Sequence, residues 1–183
     1  MGDVRIERHD GPAAAALEDE VSATYGAVFA EPPYGKTASE VAANGRRFRR
    51  QCRKASFRLA VAREDGGRAL GIAYGYALSA DTGWWDTLTE PVPDEVRRED
   101  GHRTFGLIEL AVLAEARGRG VGRDLHEAVL RDAEHERVLL NARPDADAAQ
   151  TLYRNLGYRR VGGAHPWEGA VLHDVLVLEL RKT

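Results

Sequence analysis

Cysteine is nearly absent from this chain. Cys52 stands alone among 183 residues, so no internal disulfide can form, and a reducing, cytoplasmic setting is expected. Long apolar runs are missing too: no stretch reaches the length of a membrane span, and the opening MGDVRIERHDGP carries no apolar core of a secretory leader. Met1-Gly2 could open a myristoylation signal, but Ile6 stands where Ser or Thr belongs, which excludes it. There is no excess of positive charge. A net charge of -3 speaks against a nucleic-acid or membrane partner at the level of the whole chain, while a homodimer is compatible with it. No pair of histidines has metal-ligand spacing with a carboxylate, so no metal is expected.

What remains is an ordinary globular composition, 43% hydrophobic and 30% charged, with enough chain for a single domain over 1–183. A strand is expected at Val4–Arg8, then a helix start at Asp10-Gly11-Pro12, then a helix with Leu17, Val21, Tyr25 and Val28 on its buried face. EPPYG at 31–35 breaks it, and Thr37 with Glu40 forms a capping-box signature for the next helix. That helix carries the basic run RRFRRQCRK at 46–54. Val41, Phe48 and Cys52 still share one stripe, so the arginines read either as a solvated face or as a nucleic-acid or acidic-partner patch. Strands FRLAVAR and ALGIAYGYALS follow as a hairpin across Gly66-Gly67. In the second strand Gly71, Ala73, Gly75 and Ala77 form a small face open to close approach, opposite Leu70, Ile72, Tyr74, Tyr76 and Leu78. Residues 81–103 read as a long substrate-side loop, of a length that is either functional or disordered. Strand FGLIELAVL, a glycine turn and a helix to about Ala133 come next, then a strand at 138–142, a helix at 145–156 stopped by Gly157, and strands near 158–161 and 171–180. The class is α/β in the mixed α+β sense, around one central sheet.

The turn itself, Arg117-Gly118-Arg119-Gly120-Val121-Gly122, is costly. Glycine near the start of a helix loses about 1 kcal/mol against alanine, so bare backbone there points to an anion on the helix's exposed N–H groups. A P-loop needs Gly-Lys-Ser/Thr, but Arg123 and Asp124 follow Gly122; a dinucleotide fingerprint needs glycine at Arg123. An R-x-x-G-x-G turn holding a pyrophosphate fits.

The flanks carry a resemblance. ELAVLAEARGRGVG resembles motif A of the GNAT superfamily of acyl-CoA-dependent N-acetyltransferases, and AAQTLYRNLGYRRVG resembles its motif B. The likeness covers roughly residues 56–180 and implies a central, mostly antiparallel sheet, splayed at a cofactor cleft, with helices on both faces. It implies acetyl-CoA as cosubstrate and a small-molecule primary amine as acceptor, attacked onto the thioester directly. A protein or peptide amine and a non-catalytic acyl-CoA-binding module are the alternatives. The resemblance further implies cofactor contacts from the backbone of Ala111, Val112 and Leu113, and from Arg117, Gly118, Arg119, Gly120, Val121, Gly122 and Arg123. It also implies that the Tyr153 hydroxyl meets the thioester sulfur. The chain departs from the family where an asparagine often precedes the motif-B tyrosine by seven residues: Ala146 stands there, between Asp145 and Asp147.

Glu109 is the polar outlier of its strand. It shares a face with Phe105, Leu107, Ala111 and Leu113, where desolvation raises a carboxyl pKa and suits it to general-base work; a structural carboxylate at a strand end is the other reading. His102, His126 and His173 are rival bases, His126 more simply a buried helix histidine. Tyr34, Trp84 and Trp85 are the candidate acceptor contacts. The tryptophans, with Asp81, Asp86, Glu90, Asp94 and Glu95, either receive a cationic amine or anchor the 81–103 loop to the core.

Overall fold

Most boundaries follow from local capping. In the computed structural model, which describes residues 3–64 and 67–180, β1 (Val4–Asp10) ends as the Asp10 carboxylate accepts the Ala13 N–H at 3.0 Å and starts α1 (Gly11–Ala15). After α2 (Glu18–Phe29), the capping box forms as read: Thr37 N–H donates to Glu40 Oε2 at 2.8 Å and Glu40 N–H to Thr37 Oγ1 at 3.2 Å, opening α3 (Ala38–Gln51). β2 (Arg58–Glu64) and β3 (Ala69–Ala77) pair antiparallel, with a bulge between Ala62 and Arg63. Gly66 of the expected turn lies outside the described residues, as does the Met1-Gly2 start.

The 81–103 segment has more order than a plain loop. It holds a 3-10 turn, Gly83–Thr87, and the single turn α4 (Asp94–Arg97). Then come β4 (Thr104–Val112), α5 (Val121–Leu130), β5 (Arg137–Ala142), α6 (Asp147–Leu156), β6 (Arg159–Ala164) and β7 (His173–Glu179). Two helix ends differ from expectation. α5 stops at Leu130, ahead of Asp132 in the left-handed region at φ 62. α6 starts two residues late, since Arg143 grips the Asp145 carboxylate at 2.8 and 2.6 Å and leaves Ala146 as an N-cap without a side-chain acceptor. Gly157 ends α6 at φ 94 as expected.

Seven strands form one open, mixed sheet in the order β1-β2-β3-β4-β5-β7-β6. β1–β2, β2–β3, β5–β7 and β6–β7 are antiparallel. β3 and β4 run in opposite directions, as the bonds from Leu113 N–H to Leu70 O and from Leu78 N–H to Thr104 O require, at 2.8 and 2.9 Å. The parallel ladder of β4 with β5 covers Thr104–Gly106 against Arg137–Leu139, and β4 continues past it to Val112.

Two compact units emerge. One takes the chain up to Tyr76 together with Ile108–Asp132. In it the two faces of β3 do different things. Tyr74 packs edge-on against Phe48 of α3 at 5.0 Å and beside Phe57 at 5.7 Å. On the small face, a Cβ added to Gly71 would meet the Ala111 carbonyl oxygen and Leu125 Cδ1, both at 2.9 Å, so α5 packs directly on bare backbone.

The other unit takes Ala77–Leu107 with the chain from Ala133 onward. Its 81–103 segment is strapped down at two places. Leu88 bridges Ala164 on β6, with Thr89 N–H donating to Gly163 O at 2.8 Å and His165 N–H to Thr87 O at 3.0 Å. Further on, Glu99 accepts from Arg137 at 2.8 Å and from Trp85 Nε1 at 3.1 Å, while Arg137 also donates to Thr104 Oγ1 and to Val96 O. Both Arg137 and Glu99 side chains are only 1% exposed.

Removing one member of such a pair strands the other without compensation. Glu99→Ala is expected to lower the unfolding free energy by about 3–5 kcal/mol, and Glu99→Gln, which keeps an acceptor, by less. Urea denaturation reads both; an unchanged Glu99→Ala midpoint would mean the pair is not holding the segment.

Candidate functional site

The glycine turn has the backbone the sequence argument requires. Gly118 and Gly120 lie at φ 72 and 83, in the left-handed region that L side chains rarely adopt, and a Cβ added at either would meet nothing within 4 Å. Backbone conformation, rather than crowding, therefore selects glycine there. Gly120 is the N-cap of α5, and no side chain caps that helix. Asp124 N–H makes the first intrahelical bond, to Gly120 O at 3.0 Å, so the N–H groups of Val121, Gly122 and Arg123 precede the ladder. Open space on a helix's positive end with consecutive donors is suited to a pyrophosphate.

The arginines of the turn bind protein. Arg117 Nε donates to Val112 O at 3.0 Å and its Nη2 pairs with Glu31 at 2.9 Å. Arg119 lies 3.7 Å from Glu64, and Arg123 lies 3.9 Å from Glu127. The backbone ahead of the turn divides by alternation. Leu113 donates to Leu70 O and accepts from Ala116 N–H, so both its groups are spent inside the fold. Ala111 faces β3 by the same local alternation, and Val112 directs its groups to the opposite edge, where its carbonyl already accepts from Arg117 Nε. Of the three residues named from the sequence, Val112 is the one facing away from β3.

Glu109 lies on β4 beyond the last residue paired with β5. Its side chain is 15% exposed, and burial pushes the carboxyl from its ordinary 4.5 up to about 7, against the pull of Arg47 and Lys36. Arg47 Nη2 stands 3.5 Å from Glu109 Oε1. That guanidinium donates to Asn44 Oδ1 at 2.6 Å, and Asn44 Nδ2 donates to the Tyr74 hydroxyl at 3.4 Å. Tyr74 and Tyr25 both have their phenols pushed up, first by burial and then by the Glu109 charge. A carboxyl poised near neutrality can accept a proton from an ammonium group.

Sequence reasoning missed Arg47, Asn44, Tyr25 and Tyr74 as a group. Arg47 was hidden inside the 46–54 basic run, most of which does read as a solvated face: Arg49, for example, forks onto Glu18 with two bonds of 2.7 Å. The available signal was spacing. Asn44, Arg47 and Phe48 fall on adjoining lines of α3, and Phe48 marks the buried one.

The remaining candidates separate. Tyr34 belongs to the same unit as Glu109 and packs edge-on against Phe29 at 4.7 Å. Trp84, Trp85 and Tyr153 belong to the other. Trp85 is buried, bonded to Glu99 and under the Arg137 guanidinium at 5.6 Å, so it anchors its segment. Trp84 lies against Gly106, and its indole N–H is buried without an acceptor. Of the loop acids, Glu90 pairs with Arg160 at 2.6 Å and Asp94 with Arg97. Tyr153 is buried on α6, its ring against Tyr158 at 5.3 Å. Among the rival bases, His126 is buried and pushed down to about 4, neutral at ordinary pH. His173 is buried with Nδ1 2.8 Å from Val171 O, and the carbonyl of His102 engages His135. Among the described residues no cluster of His, Cys, Asp or Glu could hold a metal ion, and no helix is long and apolar enough to cross a membrane.

Comparison with known proteins agrees with this architecture. No match was found among curated proteins. A Corynebacterium glutamicum structure described as a histone acetyltransferase and related acetyltransferase superposes with a TM-score of 0.66 at 18% identity, covering 100% of this chain and 99% of that one. A PaiA N-acetyltransferase from Thermoplasma acidophilum, solved with coenzyme A, gives 0.60 at 8% identity over 97% and 99%. An aminoglycoside N-acetyltransferase solved with coenzyme A gives 0.58 at 16% over 88% and 91%. At these identities the likeness is one of fold. Residues 55–160 match the acetyltransferase (GNAT) domain, more than half of the chain, and with that match the protein belongs to the GNAT acetyltransferase family.

Proposed function

We propose that the chain transfers an acetyl group from acetyl-CoA to the primary amine of a small molecule by direct attack. The observation that carries this reading is the Glu109 carboxyl, nearly buried and poised at about 7, in the same unit as an uncapped glycine turn suited to a pyrophosphate. The small-molecule class draws support from the aminoglycoside acetyltransferase of the same fold, and the cosubstrate from neighbours solved with coenzyme A.

In this reading the turn's N–H groups hold the pyrophosphate, and Val112 offers backbone pairing to the pantetheine arm. Glu109 takes one proton from the ammonium group, which frees the nitrogen lone pair. The nitrogen bonds the acetyl carbon, the carbon–sulfur bond breaks, and the nitrogen sheds its second proton as the amide forms. The departing thiolate takes up a proton, the role that the family resemblance gives to the Tyr153 hydroxyl.

The test is free-thiol release from acetyl-CoA across a panel of amines, aminoglycosides, amino acids and peptides; no release with any of them overturns the reading. Glu109→Gln is expected to lower kcat/KM at neutral pH on the order of a hundredfold and to erase an acidic limb near Glu109's own pKa. Retention of both rate and limb would assign the proton to another group. The same carboxyl makes a stability prediction. Its folded pKa of about 7 exceeds the ordinary 4.5, so the native state holds the extra proton between those values. Stability from this group is full below the lower value and is lost as pH rises through the upper one. Wild type should therefore lose ground against Glu109→Gln between about pH 4 and about pH 8 in urea denaturation. Gly120→Asp sets a carboxylate in the turn at a left-handed position; it should cost about 1–2 kcal/mol of stability and abolish coenzyme A binding by calorimetry, while unchanged affinity would remove the turn from the cofactor site.

A further inference from the structure

The environment of Glu109 contains a cation that the proton-transfer step does not need. Arg47 stands 3.5 Å from the carboxylate and is 41% exposed, whereas Glu109 is 15% exposed. An arginine beside a general base has a cost. It holds the carboxylate's pKa lower than burial alone would set, and it repels the ammonium group that must approach. Its hydrogen bonds inside the protein are few: Nη2 donates to Asn44 Oδ1 at 2.6 Å, and Nε is buried with no acceptor. Asn44 in turn bonds Tyr74, which fixes the guanidinium from behind through two buried side chains. The result is a positioned, half-exposed guanidinium whose planar end can still engage a carboxylate.

We propose, resting on the transferase reading above, that Arg47 binds an anionic group of the acceptor and that the acceptors are amines bearing a carboxylate, of the amino-acid type. One carbon separates amine from carboxylate in an α-amino acid. That matches adjacent partners, with Glu109 for the nitrogen and Arg47 for the carboxylate. Charge balance favours the same class. When Glu109 takes the ammonium proton it loses its own charge, which leaves Arg47 without a counter-ion unless the acceptor brings one. A polycationic acceptor would meet the opposite: Arg47 repels it, and Lys36 adds to the positive field at Glu109.

The experiment uses matched acceptors: L-amino acids, each against its own carboxamide, assayed by thiol release from acetyl-CoA with the full chain. Wild type should prefer the acid over the amide by on the order of tenfold to a hundredfold in kcat/KM, the range of a charge-assisted pair. Arg47→Gln should bring that ratio close to one, whatever it does to the overall rate through Glu109, and Arg47→Lys should restore part of it. Equal rates for acid and amide in wild type overturn the proposal, as does an Arg47→Gln variant that keeps the preference. Turnover of other amines without turnover of either matched series overturns the acceptor class alone. Absence of thiol release with every amine overturns the transferase reading and this proposal with it.

Discussion

A missing methyl group governs the first unit. At Gly71 a Cβ would lie 2.9 Å from the carbonyl oxygen of Ala111 and 2.9 Å from Leu125. The backbone oxygen cannot move aside without breaking the sheet. That absent atom lets Leu125 of α5 rest directly against the β3 backbone beside Ala111. The left-handed glycines at 118 and 120 then turn the chain sharply from the strand into that helix. Donor-rich backbone and strand end are thus held together by packing that involves no polar group.

The opposite face of the same sheet solves a different problem. Aromatic packing of Phe48, Phe57 and Tyr74 dries the surface on which Glu109 stands. Desolvation raises the carboxyl more than Arg47 and Lys36 lower it, which leaves it near neutrality rather than fully ionised. Two buried or half-buried arginines in this protein behave in contrasting ways. Arg137 has its donors spent on Glu99, Thr104 and Val96 and is sealed at 1% exposure, so it is structural. Arg47 keeps few protein partners and remains 41% exposed beside a carboxylate, so it has capacity to act on something from outside.

The long segment between β3 and β4 shows how one sequence signal can carry two readings. Two tryptophans amid carboxylates are good chemistry for a cation. Trp85, however, spends its indole N–H on Glu99 and its ring on Arg137, and Glu90 binds Arg160. Arg137 and Arg160 come from β5 and β6, far along the chain. No local spacing could announce them.

By itself the sequence determined whatever depends on neighbours a few residues away. The capping box at Thr37 and Glu40, the end of α6 at Gly157, the small face of β3 and the glycine turn are all conformational preferences written at short range. The oddity of Glu109 was legible for the same reason: alternation in a strand is a local property. Only the tertiary structure decided which arginine of the 46–54 run meets that carboxylate. Residues 47 and 109 lie on a helix and a strand far apart in sequence, and their meeting depends on how α3 lies across the sheet. It also decided that Leu113's backbone is consumed by Leu70 and Ala116 while Val112 faces the other edge, because a ladder's parity is set by its partner strand. Long-range charge pairing and backbone direction are products of packing, and a linear pattern does not encode them one residue at a time.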